Sequence, residues 1–224
     1  QLPIVDGSVV VEEPGIRFQA GAQHAIPYLA GGNSYEGTIM PSYQIDPEVY
    51  EQVWNLFDPH WPMAYQRDFQ KSSKLARKRL FGDERYLLSA LLLAESMEKV
   101  GGQSWLYFID YLPPAMLGQL PGSPHGLDAW LLFSAAEDGD SKSAELSRKL
   151  RVYWTNFAKF GDPDGCRDDS ESMTKQRRWQ SYQETGEWKR FTNGDRVSAA
   201  ELKKRLVVAL ARYQARINPF SIQD

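Results

Sequence analysis

Short apolar strands alternating with longer amphipathic helices predict an α/β fold, with a mostly parallel central sheet flanked by helices. Three observations carry this. The run Ser104-Trp105-Leu106-Tyr107-Phe108-Ile109-Asp110-Tyr111 is rich in strand-favouring aromatic and aliphatic residues and is closed by Pro113-Pro114. An apolar run at 25–30 ends on Gly31-Gly32. Two long stretches, 145–160 and the residues after Ser198, repeat their apolar side chains at helical spacing.

In chain order, Gly7-Ser8-Val9-Val10-Val11 reads as a first strand, and 25–30 as a buried strand running into a tight glycine loop. Asp46-Pro47-Glu48 reads as a helix start, an N-cap followed by proline at the first helical position. Val49, Val53, Trp54 and Phe57 then share a face. Asp83 is expected to cap a helix that runs to Lys99, with Gly101 just beyond its end. The strand over 104–111 leads through a Pro/Gly-rich loop into a short apolar helix at 129–133. Leu146, Leu150, Tyr153, Trp154 and Phe157 line one face of a helix that stops at Gly161. Ser198-Ala199-Ala200-Glu201 is a capping box opening a last helix with Leu202, Leu206, Leu210, Tyr213 and Ile217 on one face. Polar stretches at 138–143 and 162–176 read as surface loops. Only three or four strands are legible. A parallel sheet buries both faces, so so small a one is expected to present an open edge.

The 224 residues suffice for one domain or a large piece of one, and the sequence opens without Met inside what reads as structure. The net charge of -3, with Lys and Arg dispersed, argues against a nucleic-acid partner, which calls for a clustered basic face. The single cysteine, Cys166, excludes an internal disulfide, and no basic neighbour activates it. The longest apolar run, 86–94, is far below the roughly 20 residues of a membrane span. No metal-ligand spacing appears, so neither metal nor cofactor is expected.

Two loops carry candidate chemistry. Gly31-Gly32-Asn33-Ser34-Tyr35-Glu36-Gly37 puts a carboxylate beyond a strand end, where open α/β sheets place their sites. On spacing alone, the plainer reading is that Glu36 caps the next segment. Pro121-Gly122-Ser123-Pro124-His125-Gly126-Leu127-Asp128 holds His125 on a loop between a strand and a helix. Its side chain is a candidate general base or a surface histidine. His24 and His60 read as structural or exposed.

The order of short segments resembles type-B carboxylesterases, the carboxylesterase/cholinesterase family. These segments are Pro3-Ile4-Val5-Asp6-Gly7, the Glu36 loop, Gly82-Asp83, Trp105-Leu106-Tyr107-Phe108, and His125-Gly126-Leu127-Asp128-Ala129-Trp130-Leu131-Leu132-Phe133. They continue with Trp154-Thr155-Asn156-Phe157-Ala158-Lys159-Phe160-Gly161-Asp162-Pro163 and Trp179. The resemblance implies that 1–224 is the C-terminal portion of a single α/β-hydrolase catalytic domain. It implies a serine ester hydrolase working through an acyl-enzyme, with Glu36 as triad acid and His125 as triad histidine. Asp128 stands where the family usually has Glu, three residues after the histidine, and is assigned a supporting role.

In such folds the nucleophile precedes the acid, which precedes the histidine. No Gly-x-Ser-x-Gly occurs here. The nearest segment, Gly32-Asn33-Ser34-Tyr35-Glu36, ends in Glu, so Ser34 is not taken as the nucleophile. The resemblance therefore implies a partner: the N-terminal half of the same protein, bearing serine and oxyanion hole. It further implies a small-molecule ester as substrate and a secreted or periplasmic setting. Trp54, Phe57, Trp61 and Met63, around a proline-bounded loop, are candidates to line the substrate pocket, against the plainer reading of ordinary helix-core and loop packing. The last helix could dock on its own domain or on a second subunit of a homo-oligomer. The alternative function is a non-catalytic, cholinesterase-like adhesion module.

Overall fold

The structure, a computed structural model, describes residues 4–46, 48–50, 52, 73–134, 140–165, 178–192 and 196–217. Its centre is a four-stranded sheet in the order β1 (Tyr28–Asn33), β2 (Ser104–Ile109), β3 (Glu187–Phe191), β4 (Arg196–Ser198). The first three strands are parallel and β4 is antiparallel to β3. Around them lie α1 (Pro14–Gln19), α2 (Ser73–Gly82), α3 (Leu88–Lys99), α4 (Leu127–Phe133), α5 (Ser141–Phe160), α6 (Tyr182–Thr185) and α7 (Ala199–Ile217).

All six residues of β2 are buried, and their alternation builds two cores. Leu106 and Phe108 point to one face, among Leu80, Phe81, Leu88, Leu91, Trp188, Leu202 and Leu206 from α2, α3, β3 and α7. Trp105, Tyr107 and Ile109 point to the other, among Leu127, Leu131, Leu146, Leu150, Trp179 and Phe191. On that second face Trp105, Tyr107, Tyr153, Trp154, Phe157, Trp179 and Phe191 meet at edges or tilts, with ring centroids 5.0 to 6.5 Å apart. Helices cover both faces, as a parallel sheet requires.

Several elements differ from the sequence expectation, each for a physical reason. Residues 7–11 form no strand. Asp6 Oδ1 accepts the N–H groups of Ser8, Val9 and Val10 at 2.8–3.0 Å, which curls the backbone and occupies its donors. β1 begins at Tyr28 rather than 25, and runs through both glycines instead of turning at them. A Cβ on Gly31 would lie 2.1 Å from Tyr107 O, and one on Gly32 would lie 2.9 Å from Leu87 Cδ2. These glycines allow close packing within a strand. Asp83 caps nothing: α2 passes through a π-helical turn (Asp83–Leu87) straight into α3, with Asp83 fully buried. Residues 141–143, read as loop, are the first turn of α5, capped by Asp140 Oδ1 at 3.0 and 3.1 Å from the N–H groups of Lys142 and Ser143.

Other features follow the sequence. Asp46 Oδ1 accepts from the N–H groups of Glu48 and Val49. Gly161 ends α5 at φ +69°. Ser198 Oγ accepts from Glu201 N–H at 3.1 Å at the head of α7, whose Leu202, Leu206 and Ala209 are buried in the first core. His24 is exposed. Trp54, Phe57, His60, Trp61, Met63 and Cys166 lie outside the described residues.

Candidate active site

β1 and β2 run parallel, so the chain leaves both at the same end of the sheet. Beyond β1 comes the loop of Glu36; beyond β2 comes the loop of His125. Hydrogen bonds stitch the two loops together. Ser34 N–H donates to Ile109 O, Tyr35 N–H to Ser123 O, and Ser123 N–H to Ser34 Oγ, at 2.8, 2.9 and 2.9 Å. Ser123 is itself fixed, its Oγ accepting from Tyr111 N–H and donating to Tyr111 O. Ser34, the decoy serine of the sequence, thus has a clamping role. His125 N–H donates to Thr38 Oγ1 at 2.8 Å.

The side chains then meet. His125 Nδ1 is 2.5 Å from Glu36 Oε2. Glu36 is 3% exposed on its side chain, whereas His125 is 31% exposed, so the carboxylate sits behind and the imidazole reaches outward. The other carboxylate oxygen, Oε1, accepts from Asn33 N–H at 2.6 Å and Asn33 Nδ2 at 2.9 Å. Asn33 Nδ2 also donates to Asp128 Oδ1 at 3.1 Å, and Asp128 Oδ2 accepts from Tyr107 O–H at 2.8 Å. Two carboxylates facing one amide nitrogen fix which way the Asn33 amide points. Asp128 therefore touches Glu36 only through Asn33.

Burial pushes the Glu36 carboxyl above the usual carboxylate range, against the opposing pull of the Asn33 N–H and of His125. The folded chain holds this proton more tightly than the unfolded chain does. Stability therefore falls as pH rises from the ordinary glutamate range through the raised value.

Sequence reasoning gave Tyr86, Asp83, Arg205, Gly37 and Gly82 no part in building this site. Tyr86, from the π-helical turn, lays its ring against the imidazole of His125, centroids 4.7 Å apart and planes tilted by 44°. Asp83, from the same turn, binds Arg205 of α7, and Arg205 Nη2 also donates to Ser34 O at 2.8 Å. Gly37 and Gly82 let the acid loop and the end of α2 touch backbone to backbone. A Cβ on Gly37 would lie 1.8 Å from Lys78 O, and one on Gly82 would lie 2.4 Å from Gly37 N. Main-chain atoms cannot rotate aside. Gly37→Ala is accordingly expected to destabilise the fold by about 3 kcal/mol or more, read as a lowered urea midpoint. A change under about 0.5 kcal/mol would show that the loop yields freely.

An apolar groove of about 520 Å³ opens beside the imidazole, lined among others by Pro113, Met116, Pro124, His125, Leu127 and Trp130. Among the described residues, no group of three or more His, Cys, Asp or Glu gathers where a metal ion could be held. The arrangement presents a carboxylate-oriented imidazole at the C-terminal end of a parallel sheet, the constellation that general-base chemistry uses.

The sequence matches the model of the carboxylesterase family over residues 1–208. Carboxylesterase 4A of Bos taurus is 26% identical over 189 residues, which is 73% of this chain and 34% of that protein. Fumonisin B1 esterase of Sphingopyxis macrogoltabida is 27% identical over 180 residues, 72% of this chain and 33% of that protein. Among solved structures, Aspergillus niger EstA superposes with a TM-score of 0.69 at 17% identity, over 96% of this chain and 45% of its own. PNB esterase gives 0.68 at 21% identity, over 92% and 43%. The fold is thus that of part of an α/β-hydrolase, and the chain spans about a third of the length of these curated relatives.

Proposed function

We propose, because this chain belongs to the carboxylesterase family, that it is the C-terminal part of a serine ester hydrolase and supplies the acid and the histidine of its catalytic triad. The observation that carries the reading is the 2.5 Å contact between His125 Nδ1 and a nearly buried Glu36 carboxylate. With Nδ1 donating to Glu36, the proton-free nitrogen of the neutral ring is Nε2. That nitrogen takes the proton of a serine hydroxyl as the oxygen attacks the ester carbonyl. Glu36 stabilises the imidazolium that forms. The imidazolium then protonates the departing alcohol, leaving an acyl-serine. Water, deprotonated by the same nitrogen, hydrolyses the acyl-serine and restores the hydroxyl.

The serine and the oxyanion-hole donors belong to the N-terminal half of the same protein, outside this chain. Asp128 and Tyr107 act through Asn33 on the placement of Glu36. The apolar groove beside His125 would accept the hydrocarbon part of a small-molecule ester. A purely adhesive role gives the buried carboxylate no task to offset its desolvation, which weighs against that alternative.

The test uses the complete protein and a fluorophosphonate probe, followed by peptide mapping. Labelling is expected at one serine outside residues 1–224. Labelling at Ser34, or none at neutral pH, would overturn the assignment.

A further inference from the structure

We propose that Tyr86 is a positioning residue of the reaction: the face of its phenol ring holds the His125 ring and stabilises the positive charge that this ring carries while it stores the serine proton. The inference rests on the preceding reading, since that charge arises only if His125 serves as the base.

A hydrogen bond at one nitrogen fixes one edge of an imidazole and leaves its faces open. In His125 the fixed edge is Nδ1, 2.5 Å from Glu36 Oε2. Tyr86 covers a face, with the ring centroids 4.7 Å apart and the planes tilted by 44°. The phenol is itself held at both ends. Its backbone belongs to the π-helical turn Asp83–Leu87, whose end residues Asp83 and Leu87 are both buried. Turns of this kind are rare elsewhere and recur at functional sites. Its hydroxyl lies 3.3 Å from the hydroxyl of Tyr43. Tyr43 closes the 3-10 helical stretch that Glu36 opens. One short segment thus sets the carboxylate on the edge of the imidazole and steadies the phenol against its face. Tyr43 meets the ring of Phe81 at an edge, centroids 5.6 Å apart. Arg85, the cation next to Tyr86 in the chain, lies over Phe81 and Tyr43, 4.1 and 5.4 Å from their centroids.

The face of an aromatic ring carries negative charge density and attracts a cation within about 6 Å of its centroid, an attraction equivalent to about a 2- to 30-fold change in rate. The neutral imidazole of the resting site gains little from it. The imidazolium gains it in full, and exists only while Nε2 carries the serine proton. An interaction that strengthens on the way to the transition state raises kcat rather than lowering KM. Glu36 meets the charge from the edge and Tyr86 from the face. The His125 side chain is 31% exposed, so the carboxylate does not enclose it, and the phenol also keeps water from the face it covers. Burial, and next the Tyr43 hydroxyl, push the Tyr86 phenol above its ordinary value, so the ring stays un-ionised at neutral pH. A leucine at this position would cover the same face. It would lack the field, and that difference is what an experiment can read.

The experiment replaces Tyr86 in the complete protein by phenylalanine, and by phenylalanines bearing one, two and three ring fluorines. Fluorine withdraws charge from the ring face in steps while nearly conserving its shape. Nitrophenyl ester hydrolysis, fluorophosphonate labelling and urea midpoints are read on the same samples. Tyr86→Phe, which loses only the hydroxyl contact, is expected to keep kcat within about threefold of wild type. Each fluorine is expected to lower kcat further, to about 10-fold below Tyr86→Phe at three fluorines. KM is expected to stay within about twofold, because the imidazolium forms in acylation and deacylation alike and both slow together. Tyr86→Leu is expected to fall to the level of the trifluorinated variant or below. A kcat indifferent to fluorine, or a loss carried by KM, would overturn the inference. So would Tyr86→Phe as impaired as Tyr86→Leu, which assigns the effect to the hydroxyl. If Tyr86→Leu does not fold, the fluorinated series still decides. A serine labelled outside residues 1–224 together with a flat series loses only the role of Tyr86. Wild type with no labelled serine loses the esterase reading and this inference with it.

Discussion

Replacing Glu36 by glutamine in the complete protein is expected to lower kcat about 10⁴-fold, with little change in KM and an intact fold. The size follows from which oxygen is held. Oε1 accepts two N–H bonds from Asn33, so only the amide oxygen of glutamine fits that position. The amide nitrogen must then take the place of Oε2, opposite His125 Nδ1 at 2.5 Å. There it donates, and Nδ1 has to accept. The ring proton moves to Nε2, and the imidazole can no longer take a proton from serine. Charge support for the imidazolium is lost in the same step. His125→Ala removes the base outright and is expected to cost about 10⁶-fold. Steady-state hydrolysis of a nitrophenyl ester, with circular dichroism as the fold control, measures both. A Glu36→Gln enzyme within tenfold of wild type would mean that Glu36 does not set the tautomer.

What the sequence disclosed and what it hid divide by range. β2 was legible because its run of aromatic and aliphatic residues and its Pro113-Pro114 stop are local. The ends of α5 and α7 were legible because Gly161 and Ser198 act within one turn. Glu36 and His125 were legible as loop residues through neighbouring glycines and prolines, although nothing local distinguished either from a cap or a surface group. The misread elements each depend on a distant partner. Gly31 looked like a turn because the Tyr107 that demands it lies across a strand pairing. Asp83 looked like an N-cap because the Arg205 that claims it is 122 residues away. Asn33 sits three positions before Glu36, but its two bonds to Oε1 exist only once Glu36 folds back over the strand end. The strand expected at 7–11 failed for the opposite reason. There a local competitor, Asp6, captured the donors that a sheet would have used.

The second large effect is expected in stability. Arg205→Met should destabilise the complete protein by about 3–5 kcal/mol, because it leaves Asp83 charged and without its main partner. The Asp83 side chain is 1% exposed and that of Arg205 13%, and two bonds of 2.8 and 2.6 Å join them. Arg79 Nε, 3.7 Å from Asp83 Oδ2, compensates weakly and favours the lower end of the range. Replacing both partners, as in Arg205→Met with Asp83→Leu, should recover much of the loss, since neither charge is then stranded. The recovery should not extend to activity. Arg205 also donates to Ser34 O, and Ser34 Oγ holds Ser123, so the double variant leaves the clamp between the acid and histidine loops one bond short. Urea midpoints and kcat measured on the same variants separate the two roles. A double variant that regains stability while kcat stays depressed makes Arg205 a positioning residue for Glu36. One that regains both reduces it to a support of α7 against the core.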